Sequence, residues 1–162
     1  MGTGKSAVGR LLAQRLKRPF LDLDRMIEKE TGRSVAQIFA EEGEAGFRER
    51  ESQAVQSVAG LSGHVIATGG GVLMDETNVQ ILQKSGVLVC LTASPDVILK
   101  RTTASLPSRP LLNGSAPREQ IEELLKLRAP FYARADVTID TTDRSLEEII
   151  EQILGKISDQ RE

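Results

Sequence analysis

The first six residues, Met1-Gly2-Thr3-Gly4-Lys5-Ser6, narrow the possible folds more than anything else in the chain. They match the end of a G-x-x-x-x-G-K-[ST] loop. In such a loop backbone N–H groups and a helix N-terminus hold phosphates, a lysine reaches the outer ones and a hydroxyl meets Mg²⁺. Gly4, Lys5 and Ser6 stand at the diagnostic positions, and the loop's first glycine would lie two residues before Met1. Val8, Leu11, Leu12 and Leu16 follow at three- and four-residue spacing, which predicts a helix stopped by Pro19. The competing reading is a glycine turn that merely caps a helix.

Further along, strands alternate with helices. Phe20-Leu21-Asp22-Leu23, Val65-Ile66-Ala67, Val87-Leu88-Val89-Cys90-Leu91 and Val137-Thr138-Ile139 read as strands. The third is apolar throughout, as a strand covered on both faces is. Helices are expected near 34–42, 44–59, 75–84, 95–102, 117–134 and 145–157. Ser34 with Gln37 and Ser145 with Glu148 have capping-box spacing, and Pro95 suits a helix start. Such alternation argues for a parallel sheet wrapped by helices, with ligands at the carboxyl ends of its strands. One domain over 1–162 is expected, with an inserted helical segment at about 24–60. Residues 102–117, rich in Pro and Ser, have the length and composition of a mobile lid.

Composition removes several classes of function. A net charge of -2 leaves no electrostatic footprint for nucleic acid or a membrane surface. Aromatics at 3% with no Trp cannot build the stacking platforms of single-strand binders. A single cysteine, Cys90, excludes an internal disulfide and suits a reducing cytoplasm, where the chain is expected to work. His64 has no second histidine for a metal. It reads as structural, as does Cys90 in its apolar strand.

A phosphate loop needs a further acidic group near its metal, and Asp22-Leu23-Asp24 is the best candidate. In an extended chain residues two apart point the same way, so both carboxylates would face one crevice. One would serve Mg²⁺ or its waters, and the other would accept a hydroxyl proton. Against this stands Asp24 as a simple helix cap, with Asp140 as a weaker competitor for the metal. Gly69-Gly70-Gly71, after a strand, removes every Cβ from a stretch of backbone on which a ligand can lie. Arg48 has Glu51 three residues on, where it can orient the guanidinium. Arg128 falls on the apolar side of its helix near Pro130, which should kink it. An arginine against a core face usually has an anion to hold, and its planar fork suits a carboxylate. Arg109 is placed to swing over a transferring phosphoryl group, and Arg101 to stack on a base.

Taken together, Met1–Ser6, Asp22-Leu23-Asp24, Phe47-Arg48-Glu49-Arg50-Glu51, Gly69-Gly70-Gly71, Arg109-Pro110-Leu111-Leu112 and Arg128-Ala129-Pro130-Phe131-Tyr132 resemble the shikimate kinase family in order and spacing. The resemblance implies a three-layer α/β P-loop kinase, with strand order 2-3-1-4-5, helices on both faces and the first strand missing from this chain. It implies ATP with Mg²⁺, phosphates held along Gly2, Thr3, Gly4, Lys5, Ser6 and Ala7, and the metal served by Ser6 and Asp22. Asp24, Lys5 and Arg109 would be catalytic. Asp24, Arg48, Gly69, Gly70, Gly71 and Arg128 would bind shikimate, and Arg101, Arg109 and Arg144 the nucleotide. A monomer acting on a small molecule, with no nucleic acid or membrane partner, is expected. The alternatives are a P-loop kinase for another hydroxy acid such as gluconate, and a silent nucleotide-binding paralogue. The family's sheet order also predicts a slot between strands 65–67 and 87–91, and further residues before Met1.

Overall fold

A computed structural model describes residues 2–103 and 117–159. The lid expected over 102–117, Arg109 within it, and Met1 therefore lie almost wholly outside the described residues. Thr102 and Thr103 close one helix and Pro117 opens the next.

The elements are α1 (Lys5–Leu16), β1 (Phe20–Asp22), α2 (Leu23–Thr31), α3 (Val35–Val58), β2 (Val65–Ala67), α4 (Glu76–Ser85), β3 (Val89–Thr92), α5 (Pro95–Thr103), α6 (Pro117–Tyr132), β4 (Val137–Asp140) and α7 (Leu146–Asp159). A 3-10 turn, Val72–Met74, follows β2. Both predicted capping boxes form. Ser34 Oγ accepts the Gln37 N–H at 3.2 Å while Gln37 accepts the Ser34 N–H at 2.8 Å, and Ser145 and Glu148 exchange the same pair.

The strands pair in parallel as β1–β2 and β3–β4. Register places Asp22 beside Ala67 and Thr92 beside Asp140, so the carboxyl ends of each pair lie together. Alternation along the strands divides the core. Ile66 and Leu88 pack into a cluster with Leu23, Ile27, Ile38, Phe47 and Val55 from α2 and α3. Val65, Val89 and Leu91 pack into another with Val8, Leu12, Ile149, Ile150 and Ile153 from α1 and α7. Neighbouring residues of one strand face opposite sides, so helices cover both faces of an α/β sandwich of three layers. Each fully buried Ile or Leu contributes about 1.5–3 kcal/mol, more than any surface ion pair in the molecule. A cavity of about 420 Å³ lies between β2 and β3, lined by Val65, Ala67, Val89 and Leu91.

The two helices expected at 34–42 and 44–59 form as the two segments of α3, broken between them at Gly43, whose φ of 72° interrupts the winding. Two expectations need correction. The apolar run 87–91 does not pair as one strand: the ladder begins at Val89, Val87 is exposed, and the Leu88 N–H donates to the Asp136 carboxylate at 2.7 Å. The second concerns Asp22 and Asp24. The strand ends at Asp22 and α2 starts at Leu23, so the pair does not lie on an extended chain.

Candidate active site

Gly4 caps α1 with φ 91°, a conformation costly for any residue with a Cβ, and no side chain caps this helix. The helix dipole favours an anion at this end. Gly2 is held as closely: a Cβ would come within 2.9 Å of Thr102 Cγ2 and 3.0 Å of Ile98 Cγ2. The loop thereby rests on α5. Thr141, fully buried after β4, stands 3.3 Å from the Thr3 carbonyl and 2.9 Å from the Thr92 carbonyl, tying the loop to the sheet. No motif in the sequence marked Thr141.

Ser6 Oγ donates to Asp22 Oδ2 at 2.6 Å. Asp22, not Asp24, is the cap of α2, accepting the Arg25 N–H at 3.5 Å. A hydroxyl that donates to a carboxylate keeps its lone pairs for a cation. Among the described residues no cluster of three His, Cys, Asp or Glu side chains could hold a metal. A cation at Ser6 would therefore take its other ligands from phosphate oxygens and water, which suits Mg²⁺.

Asp24 sits in the first turn of α2 and reaches the crevice from there: a Cβ on Gly69 would lie 3.4 Å from its Oδ1. Asp22 meets Ser6 and Asp24 meets the glycine turn, so the two carboxylates find different partners from the start of α2. Beside Asp24 lies Glu51, 1% exposed. Burial pushes the Glu51 carboxyl above its usual range, and nearby Asp24 adds to the shift, against the pull of Arg48 and Arg128. Arg48 Nη1 donates to Glu51 Oε2, as the spacing predicted, while its Nη2 donates to Glu44 at 2.9 Å. Arg128 on α6 is 5% exposed, and its Nε has no hydrogen bond among the described residues. Glu51 Oε1 is likewise without one. Two such buried polar atoms mark a place built for a ligand's polar groups.

The glycine turn has a different first purpose from the one expected. A Cβ on Gly69 would stand 1.9 Å from Glu51 Oε1, and one on Gly71 would stand 2.2 Å from Arg48 Nη1. The missing side chains make room for the protein's own Glu51 and Arg48. Tyr132, one turn beyond Arg128, donates its hydroxyl to the Gly70 carbonyl at 2.8 Å and pins the turn to α6. A cavity joins both halves of the site, lined by Thr3 and Lys5 on one side and by Gly69, Gly70 and Arg128 on the other.

Elsewhere, Arg101 donates to Thr141 Oγ1 at 2.9 Å and to its carbonyl at 3.0 Å, next to the phosphate loop. Arg144 is exposed and donates to Gln152 on α7. Asp140 is occupied with Thr142 at 2.7 Å.

The family model for shikimate kinase matches residues 1–158. The chain belongs to the shikimate kinase family. A shikimate kinase of Symbiobacterium thermophilum is 45% identical over all of this chain and 94% of its own length. That of Pelotomaculum thermopropionicum is 48% identical, over 95% of this chain and 89% of its own. A solved shikimate kinase from Acinetobacter baumannii, in complex with shikimate, superimposes with a TM-score of 0.94 at 38% identity, covering 99% of this chain and 89% of that one. The chain is thus a phosphotransferase of an ATP-using family. No helix among the described residues is long and apolar enough to cross a membrane.

Proposed function

We propose that this chain transfers the γ-phosphoryl group of ATP, with Mg²⁺, to the 3-hydroxyl of shikimate. The observation that carries the reading is the cavity shared by Lys5 and Arg128, with Arg48 and Asp24 against its glycine wall. Lys5 and the α1 N–H groups from Gly4 onward receive phosphates, and Ser6 with Asp22 serves the cation. Arg48 and Arg128, from different helices, hold the substrate carboxylate. The bound nucleotide and metal supply the transferred group and neutralise its charge. Asp24 takes the proton from the attacking hydroxyl, so that the new P–O bond forms as the bond to the leaving phosphate breaks. The roles of Arg101 and Arg144 beside the base, and of Arg109 over the phosphates, rest on the resemblance alone. In this reading residues 24–60 form the substrate-binding part of one domain, and the enzyme works as a cytoplasmic monomer.

An ADP-release assay with shikimate, quinate and gluconate tests the proposal, since only shikimate should support turnover at low concentration. In the same assay Asp24→Asn should lower kcat by about 10²- to 10⁴-fold with the KM for ATP unchanged. Preference for gluconate would overturn the substrate assignment, and undiminished turnover by the variant would remove Asp24 from the chemistry.

A further inference from the structure

Arg48 is held by two carboxylates of its own helix, and they are not equivalent. Glu51 is buried beneath it and takes Nη1. Glu44 takes the opposite edge: its Oε1 accepts from Nε at 3.3 Å and from Nη2 at 2.9 Å. That edge is one of those on which a guanidinium receives a carboxylate through two parallel bonds. Glu44 uses a single oxygen for both, and its side chain is 51% exposed against 25% for Arg48. It is also the first residue after Gly43, where the helix is broken.

We propose that Glu44 is a stand-in for the substrate's carboxylate, covering the receiving edge of Arg48 and turning out to water when the substrate arrives. The inference rests on the assignment of Arg48 to a ligand carboxylate. An incoming carboxylate regains two charge-assisted bonds for the two it displaces, and Glu44 lowers the apparent affinity of every anion that needs this edge by one common factor, set by how often the edge is uncovered. An ion pair this exposed shifts an equilibrium by about 1.5- to 5-fold, which sets the size of the effect.

Glu44→Gln keeps the shape, lowers the charge and sits on the surface, so the fold should tolerate it. Its KM for shikimate should fall by about 1.5- to 5-fold at saturating ATP, with kcat and the KM for ATP unchanged. Inorganic phosphate, varied as an inhibitor competitive with shikimate, should gain by the same factor in the variant. A merely structural Glu44 would lower the thermal midpoint and leave both constants alone. A KM for shikimate that is unchanged or raised would show that Glu44 does not compete, and would overturn the proposal. Arg48→Ala measured alongside separates the two failures. If it leaves the KM for shikimate unaltered, the assignment of Arg48 falls, and this inference with it. If it raises that KM while Glu44→Gln does not lower it, only the inference falls.

Discussion

Two arginine–glutamate clusters meet on helix α3 a few residues apart, one of them joined by Arg33 from just before the helix, and they behave in opposite ways. In one, Arg33 and Arg50 converge on Glu42: Arg50 donates to both Glu42 oxygens at 2.8 Å, and Arg33 adds a third bond at 2.6 Å. Glu42 precedes the break at Gly43 and Arg50 follows it, so this cluster clamps the two segments of α3 together. Hydrogen bonds from Arg50 and then Arg33 hold the Glu42 carboxyl well below its usual range, at about 2. In the other cluster the arginine meets a buried glutamate, whose carboxyl desolvation pushes upward. Here polar atoms are left over, Glu51 Oε1 and the Nε of neighbouring Arg128. The same residue types therefore do different work. The surface cluster is complete in itself, and the buried one leaves polar atoms unmet among the described residues.

The largest expected break in this comparison comes from Glu51→Gln. Loss of the buried charge under Arg48 should raise the KM for shikimate by about tenfold, within the range of a charge-assisted hydrogen bond. The same variant carries a pH signature. A carboxyl raised in the folded state favours folding at acid pH and loses that contribution as pH rises through its folded pKa. The thermal midpoint of Glu51→Gln relative to the parent should accordingly climb between acid and neutral pH, and a flat difference would contradict the buried, raised carboxyl. Arg50→Ala should be much milder. A change in shikimate KM of under about twofold, with at most a small shift in thermal midpoint, would fit a half-exposed pair. The smallest effect is spectroscopic. Carbon-detected titration should place the Glu42 carboxyl near about 2 in the parent and move it toward 4.5 in Arg50→Ala. Because that carboxyl is depressed, whatever it adds to stability is present above about 4.5 and is lost as pH falls toward about 2.

Local features of the fold could be read from the chain because their causes are local. Capping boxes at Ser34 and Ser145, the glycine break at 43 and the apolar face of α1 each depend on residues within one or two turns. The end of β1 was misread for the same reason: Asp22-Leu23-Asp24 looks extended until Asp22 accepts the Arg25 N–H and starts α2. Strand β3 was misplaced because its ladder is set by Val137 and Asp136, almost fifty residues away. Around the cavity, Lys5, Ser6, Asp24, Arg48 and Arg128 are singled out by motifs. The closeness of Glu51 to Gly69 and the tie from Tyr132 to Gly70 are not, since each arises only when α3 and α6 pack against the turn after β2, whereas Glu44 and Arg48 stand four residues apart on one helix, a spacing legible in the chain.

Calorimetry tests the account's central claim most directly, by comparing shikimate with its methyl ester on the parent, Arg128→Ala and Arg50→Ala. The parent and Arg50→Ala should bind the acid at least about tenfold more tightly than the ester, as a charge-assisted contact requires. Arg128→Ala should lose most of that discrimination by weakening only the acid. Equal binding of acid and ester by the parent, or full discrimination surviving in Arg128→Ala, would contradict the claim that the unfinished buried cluster is finished by the substrate's carboxylate.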